Sequence, residues 1–314
     1  MVLGDLALPG MGIDSKRREH LVDRVGLIIH NGALVHHGLP YSSLRDSNVM
    51  GTREVIELAC ARSTPLHYVS SISVLPPLTE AQGRRFLESD SVVDVPPPMG
   101  GYNLSKWVAE RLIVQAGDRG LPVAVYRPGP ISGDSVTGAF NRNDFLYRLM
   151  VGYLQSGMAP HGEMPLDLLP VDYVGRVVVW LALRGADLCS RSVRCFHLLH
   201  PKPASSEMLF QACLEAGFRI KRVPYDTWFK HLSEIAQSGD FNHALYPLVG
   251  MFSSREGTTR PAGSLMTVPY DTSVARTALQ GAPFEPPELA KELFGMYLKA
   301  MIRSGVFRDG PLHD

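Results

Sequence analysis

The sequence lacks a surplus of charge, a long apolar run and any cysteine pattern typical of a bound metal. Its 31 basic and 31 acidic residues cancel, which argues against a nucleic-acid partner, because such domains usually carry a basic face. No apolar run is long enough to cross a membrane, and no secretory signal is visible. The four cysteines form neither a C-x-x-C pair nor a zinc spacing, so we expect reduced thiols, no metal site and a cytoplasmic location. What remains is a globular protein of 314 residues, 45% of them hydrophobic.

Short β-branched or aliphatic runs alternate with helical patterns over the first 200 residues. The predicted strands are Val25–His30, His67–Ser71, Val123–Arg127 and Val193–Leu199. The predicted helices between them are Ser47–Arg62, with Ser47 as N-cap, Tyr102–Gln115 and Tyr173–Leu183. Alternation of this kind predicts a parallel α/β sheet with helices on both faces.

After residue 200 the strand signal fades and helical patterns dominate. These patterns cover Ser206–Gly217, Tyr225–Gln237 and Pro287–Ser304. We therefore predict two domains, a dinucleotide-binding Rossmann-type domain over residues 1–200 and a smaller, mostly helical substrate-binding part over 201–314. Residues 140–170 are expected to contribute to the substrate pocket, with Phe145, Leu149 and Trp228 as candidate lining residues that could equally be core.

The most informative local pattern is Gly100-Gly101-Tyr102, followed four residues later by Lys106. On a helix, Tyr102 and Lys106 share a face. An ammonium near a phenol favours the ionised phenol and lowers its pKa, which suits proton transfer to a carbonyl under reduction. The alternative is a surface aromatic ring packed under a lysine stem.

Hydroxyl groups cluster at the end of the second predicted strand, in Ser70-Ser71-Ile72-Ser73. Side chains at the carboxyl ends of parallel strands face the crevice in which a dinucleotide and its substrate bind. The alternative is turn chemistry, because serine hydroxyls satisfy loose backbone groups at strand ends.

The ordered set of motifs resembles an extended short-chain dehydrogenase/reductase, and most closely the terminal thioester reductase domains of nonribosomal peptide and polyketide synthetases. The motifs are H-N-G-A (30–33), N-V-x-G-T (48–52), V-S-S-x-S-V (69–74), G-G-Y-x-x-S-K-W-x-x-E (100–110), Y-R-P-G (126–129) and L-P-V-D-Y-V (169–174).

The resemblance implies roles for individual residues. Ser71, Tyr102 and Lys106 would be the catalytic residues, with Tyr102 as proton donor and Lys106 orienting the nicotinamide ribose. The residues implied in cofactor binding are Gly4, Asp5, Leu6, Asn31, Gly32, Ala33, Ser70, Tyr102, Lys106, Pro128, Gly129 and Ile131. Asp5 would contact the adenine from the end of a first strand at Met1–Leu6, and Asn48 with Gly51-Thr52 would have a structural role.

The family's glycine-rich strand-to-helix turn is absent. Gly10 and Gly12 lie after the first expected strand and have no third glycine in place. The expectation is a sheet that lacks its first two strands. The competing explanations are a misassigned start or a fragment, a missing piece supplied by another polypeptide, and a degenerate remnant.

The implied activity is NADPH-dependent reductive release of an acyl or peptidyl chain, held as a thioester on the phosphopantetheine arm of a carrier protein. The product would be an aldehyde, with the alcohol left open, and the preference for NADPH comes from the resemblance alone. Alternatives within the superfamily are a sugar-nucleotide epimerase or dehydratase and a fatty acyl-CoA reductase. A further alternative is a catalytically silent module that binds a carrier protein or a dinucleotide.

Overall fold

A parallel sheet organises the computed structural model, which describes residues 1–76, 85–163, 165–184, 193–239, 242–252 and 270–306. The described strands are β1 (Ile28–His30), β2 (Leu66–Val69), β3 (Val123–Pro128), β4 (Ile131–Ser132), β5 (Met158–Pro160), β6 (Pro165–Leu166), β7 (Leu169–Pro170), β8 (Arg194–Leu198), β9 (Ala204–Ser205) and β10 (Lys221–Val223). The described helices are α1 (Ser15–Arg24), α2 (Tyr41–Arg45), α3 (Gly51–Cys60), α4 (Gly101–Asp118), α5 (Phe145–Ser156), α6 (Val171–Leu183), α7 (Ser206–Glu215), α8 (Tyr225–Ser238), α9 (Val249–Phe252), α10 (Ser273–Ala278) and α11 (Lys291–Arg303). Within these ranges no helix is both long and apolar enough to cross a membrane.

The main sheet has four strands in the order β1-β2-β3-β8, and each neighbouring pair is parallel. Its members are the four strands predicted from the sequence, with boundaries that agree to within three residues. The predicted α/β Rossmann-type class is confirmed. Strands β2 and β3 lie inside the sheet, which explains their near-continuous apolar sequences.

The chain forms two compact units, each built from separated segments. The first comprises the described parts of Met1–Gly129, Gly175–Leu198 and Pro269–Pro283, and it contains the main sheet. Its apolar core joins helices α3 and α4 to strands β2 and β3, through Val55, Ala59, Leu66, Tyr68, Ala109, Ile113, Val123 and Val125. Because these side chains come from both strands and both helices, the core fixes α4 against the sheet.

The second unit comprises the described parts of Pro130–Val174, Leu199–Val268 and Phe284–Asp314. It is mostly helical, with the short strand pairs β4–β7, β5–β10 and β6–β9. Leu149 and Trp228 are buried in one of its apolar clusters, and Phe145 packs against that cluster. The sequence prediction drew a single domain boundary near residue 200. In the structure Pro130–Val174 belongs to the second unit, and the chain then returns to the first unit and adds β8 to the main sheet.

The expected first strand at Met1–Leu6 is wrong. This segment turns back on itself: the Asp5 N–H donates to the Met11 carbonyl at 2.8 Å, and the Leu8 N–H donates to the Asp5 carbonyl at 3.1 Å. Gly10, Met11 and Gly12 all have φ near +60°, a left-handed conformation that glycine adopts without steric cost. The glycines after Asp5 therefore close a local turn.

The predicted start of the helix Ser47–Arg62 is also wrong. Helical backbone begins at Tyr41, directly after the extended Pro40, and runs through a π-helical turn at Asp46–Met50 into α3. Ser47 lies inside this run and caps nothing. Proline near the start of a helix is a known start signal, and here Pro40 is the N-cap residue, where the extended backbone ends.

Candidate active site

Helix α4 carries the predicted tyrosine and lysine. It begins after Gly100, whose φ of +88° disfavours any other residue. At Gly101 a Cβ atom would lie only 2.2 Å from the Leu39 carbonyl oxygen, so the helix start is pressed against the preceding loop. Gly100 is thus needed for its positive φ, and Gly101 for the close approach of the loop. The helix that starts here has Tyr102 in its first turn and Lys106 one turn later on the same face.

The Lys106 side chain reaches the carboxyl end of β2. It is only 3% exposed, its ammonium donates to the Val69 carbonyl at 2.7 Å, and its Nζ lies 4.2 Å from the centre of the Tyr68 ring. Burial lowers the pKa of Lys106 to about 7, and the negative charge of Glu110 opposes that shift. An amine that titrates near neutrality therefore stands at the end of a central strand.

Tyr102 lies close to the same strand end. Its ring contacts the His37 ring edge to face, with centroids 5.3 Å apart. The pKa of Tyr68 is raised well above its ordinary value, mainly by burial and further by Glu110 and by Tyr102. Tyr102 and Lys106 therefore both interact with Tyr68, which places the phenol and the amine in one neighbourhood.

Ser71 follows β2 and is partly exposed. Its hydroxyl oxygen accepts the Ser73 N–H at 3.2 Å, which caps the 3-10 turn Ile72–Val74, and it shares a 2.7 Å hydrogen bond with the Ser73 hydroxyl. It stands two residues beyond Val69, whose carbonyl receives Lys106. Lys106 and Ser71 are thus both tied to the carboxyl end of β2, the expected turn chemistry of the serines is present, and the catalytic role of Ser71 stays a prediction.

Ser70, predicted to bind cofactor, already has protein partners. Its hydroxyl donates a short hydrogen bond to Glu110 Oε2, and its N–H donates to the Tyr126 carbonyl at 2.7 Å. The side chain is buried. Its part in cofactor binding stays a prediction, and its visible role is to tie the end of β2 to α4.

A fully buried ion pair lies behind the site, and it was not predicted from the sequence. Arg127 donates to Glu110 Oε1 from Nη2 at 2.6 Å and from Nε at 2.9 Å, and neither side chain is exposed. Glu110 follows Lys106 by four residues, so helical spacing could have placed it on the same face. Its pairing with a residue on β3 depends on the tertiary fold.

His197 on β8 completes this network. Its Nδ1 faces the Asp271 carbonyl at 2.8 Å, and its Nε2 faces the Arg127 guanidinium at 3.2 Å. Because a carbonyl only accepts and a guanidinium only donates, Nδ1 carries the proton and Nε2 accepts. Burial, and after it the charge of Arg127, lowers the pKa of His197 to about 4. The ring is a neutral structural acceptor.

Two of the predicted cofactor segments meet in the first unit. Asn31, Gly32 and Ala33 follow β1 directly, and a Cβ at Gly32 would lie 2.5 Å from a Leu6 methyl group. A Cβ at Gly51 would lie 2.7 Å from the Leu6 carbonyl oxygen. The segment Gly4–Leu6 therefore packs on the loop after β1 and on the start of α3, with Asp5 exposed beside it.

Asn48 holds the loop after β1. Its amide oxygen accepts the Leu34 N–H at 2.7 Å, and its amide nitrogen donates to the Leu34 carbonyl at 3.0 Å and to the Ser105 hydroxyl at 2.9 Å. These contacts agree with the structural role assigned to Asn48, which joins the loop to α4.

The predicted segment Pro128–Ile131 crosses the boundary between the two units. Pro128 ends β3, and the Gly129 N–H donates to the Leu198 carbonyl at 2.9 Å within the first unit. Ile131 begins β4, which pairs with β7 in the second unit. Of the predicted cofactor residues, Ile131 is thus the one outside the first unit.

A parallel Rossmann-type sheet with a phenol, an amine and a hydroxyl at its carboxyl edge defines the class of nicotinamide-dependent oxidoreductases. Comparison with known proteins gives the family. The chain belongs to the NAD-binding family described as "Male sterility protein", whose model matches residues 1–178. The predicted extended short-chain dehydrogenase/reductase, of the kind found as reductase domains, is confirmed.

Similar proteins include parts of large synthases. The chain is 35% identical over 310 residues to a component of the linear gramicidin synthase of Brevibacillus parabrevis, covering 98% of this chain and 6% of that protein. It is 32% identical over 324 residues to the L-2-aminoadipate reductase large subunit of Penicillium chrysogenum, covering 97% of this chain and 23% of that protein.

A solved structure extends the likeness to the fold. The crystal structure of the terminal R domain from the myxalamid PKS-NRPS biosynthetic pathway matches with a TM-score of 0.83 and 35% identity, covering 99% of this chain and 76% of that one. The chain thus spans a small part of the two larger proteins and about three quarters of the solved reductase domain.

Proposed function

We propose that this chain reduces an acyl or peptidyl thioester carried on the phosphopantetheine arm of a carrier protein and so releases the chain as an aldehyde. The observation that supports this proposal is the hydrogen bond from the Lys106 ammonium to the Val69 carbonyl, two residues before Ser71, with Tyr102 one helical turn before Lys106 on α4. The relatives support the substrate class, because they include a gramicidin synthase subunit, an aminoadipate reductase and the terminal R domain of a PKS-NRPS pathway.

The donor set of this strand end fits a nicotinamide cofactor, and we propose NADPH. Lys106 and Tyr102 would take the nicotinamide ribose, while the exposed backbone of Asn31 and Gly32 would lie along the dinucleotide. The segment Gly4–Leu6, Ser70 and the stretch Pro128–Ile131 would supply the remaining contacts. Bound there, the nicotinamide would supply a hydride to the thioester carbonyl carbon.

The side chains would stabilise and then protonate the negative charge that develops on the carbonyl oxygen. The Ser71 hydroxyl donates a hydrogen bond to it, and Tyr102 donates its proton, so a neutral hemithioacetal forms. That adduct loses the pantetheine thiol and leaves the aldehyde. The Lys106 ammonium stabilises the resulting phenolate, because an opposite charge nearby favours the ionised form of a phenol.

The test replaces Tyr102 by Phe and measures oxidation of NADPH with an acyl-loaded carrier protein, together with trapping of the aldehyde. We expect turnover to be lost while NADPH still binds, because Phe keeps the ring and removes only the hydroxyl. Tyr41→Phe is the matched control, since Tyr41 lies on α2 outside the proposed site. Unchanged turnover by Tyr102→Phe would refute the proposal, and turnover of a nucleotide sugar or of acyl-CoA alone would favour the other activities of this superfamily. A cytoplasmic location stays a prediction.

A further inference from the structure

The loop between β1 and α2 is anchored at two points on the first unit. Near its start, the Asn48 amide bonds both backbone groups of Leu34, at 2.7 and 3.0 Å. Near its end, the backbone of Leu39 and Pro40 abuts Gly101, where a Cβ would lie 2.2 Å from the Leu39 carbonyl oxygen. The residues between these anchors therefore have little freedom to move relative to α4.

His37 lies between the two anchors and contacts Tyr102. The ring centroids are 5.3 Å apart and the ring planes are inclined by 74°. Edge-to-face packing at this separation is a favoured geometry for aromatic rings, because the positive edge of one ring faces the negative face of the other. The anchored loop thus holds the His37 imidazole against the ring of Tyr102, the proposed proton donor.

We propose that His37 is a positioning residue for Tyr102: its ring restricts the phenol to the orientation that aims the hydroxyl at the substrate oxygen. The inference rests on the proposed function, which makes Tyr102 the proton donor. It gives a role to one of two adjacent histidines, His36 and His37, in the loop between β1 and α2.

Tyr102 needs such a neighbour because of its place on α4. It lies in the first turn of the helix and is partly exposed, whereas Lys106 is buried and bonded to the Val69 carbonyl. Proton transfer requires the hydroxyl to approach its partner to about 2.6–3.2 Å. A ring free to change rotamer spends less time at that distance, which lowers the rate of the chemical step more than it lowers the binding of cofactor.

The first test compares His37→Ala, His37→Phe and His36→Ala in steady-state turnover of NADPH and an acyl-pantetheine thioester. Loss of an edge-to-face pair corresponds to about a 2- to 12-fold change. We expect His37→Ala to lower kcat by about that factor, with the KM for NADPH nearly unchanged, and His37→Phe to restore most of kcat. His36→Ala removes the neighbouring side chain, whose Nδ1 accepts the Gly38 N–H, and should keep the wild-type kcat.

The second test measures the phenol itself, without cofactor or substrate. Ring carbons of isotope-labelled tyrosines are followed by NMR, and the Tyr102 resonance is identified by its loss in Tyr102→Phe. Removing the His37 ring should abolish the ring-current displacement of the Tyr102 resonance, and His37→Phe should preserve a displacement.

Two results would overturn the inference. If His37→Phe is as impaired as His37→Ala, the imidazole acts through its charge or its hydrogen bonds and not through ring packing. If the Tyr102 resonance of His37→Ala matches that of the wild type, the contact is absent in solution. An inactive Tyr102→Phe beside a fully active His37→Ala would refute this inference and leave the proposed function standing, whereas a fully active Tyr102→Phe would refute the proposed function itself.

Discussion

Replacing Glu110 by Gln should destabilise the first unit more than any change to a surface ion pair. The Glu110 and Arg127 side chains are both 0% exposed, and Arg127 donates to one Glu110 oxygen at 2.6 and 2.9 Å. Gln keeps the volume of Glu but leaves the guanidinium buried without its counter-charge. Removal of one partner of a buried pair typically costs about 3–5 kcal/mol, and we expect that loss in the free energy of unfolding.

The measurement is equilibrium unfolding in urea, followed by circular dichroism and by tryptophan fluorescence. Two of the three tryptophans, Trp107 on α4 and Trp180 on α6, lie in the first unit, and Trp228 on α8 lies in the second. Glu57→Gln is the matched control, because Glu57 pairs with Arg53 at 3.3 Å with about half of each side chain exposed. We expect the control to lose less than about 1 kcal/mol.

A double variant separates the loss of a pair from the loss of a charge partner. Glu110→Leu with Arg127→Met removes both charges of the pair, so it should be less destabilising than Glu110→Gln alone, since the buried guanidinium is no longer left without its counter-charge. The reasoning fails if Glu110→Gln is within about 1 kcal/mol of the wild type, or if the double variant is the less stable of the two.

Two further predictions follow from α4. The Lys106 ammonium loses its proton as pH rises through about 7, so kcat should fall above that pH. In Lys106→Arg the fall should occur at a much higher pH, because a guanidinium stays charged. A flat wild-type pH profile through neutrality would contradict the assigned role. Gly101→Ala places a methyl group 2.2 Å from the Leu39 carbonyl oxygen and should lower thermal stability by about 1–3 kcal/mol, whereas Gly26→Ala meets no atom within 4 Å and should leave the melting temperature nearly unchanged.

The elements that the sequence predicted well are those with strong local signals. Strands β2 and β3 are short, mostly apolar runs bounded by turn residues, and α4 combines a glycine start with helical spacing of its apolar side chains. The order of motifs predicted Tyr102 and Lys106 near Ser71, and the Lys106 ammonium bonds the Val69 carbonyl two residues before Ser71; the joint site stays a prediction.

The failures arise where local signals are ambiguous. Gly10 and Gly12 close a left-handed turn, and that turn, not a strand, surrounds Asp5. Ser47 has the residue type of a helix cap, but the chain has already become helical after Pro40. Neither outcome follows from periodicity alone, because each depends on a backbone conformation that several residues adopt together.

The buried network could not be predicted for a different reason. Arg127 meets Glu110 across 17 positions and His197 across 70. The arginine of Y-R-P-G is visible in the sequence as part of a motif, and its burial on β3 can be argued only once the sheet order is known.

The anchor of Lys106 has a consequence for how this site tolerates change. Its acceptor is the peptide carbonyl of Val69, which every amino acid at that position would also present. Side-chain replacement on the strand can alter the packing around the amine but cannot delete the acceptor. Substitutions along β2 therefore leave this hydrogen bond in place. Only replacement of Lys106, or a shift of the main chain at Val69, would break it.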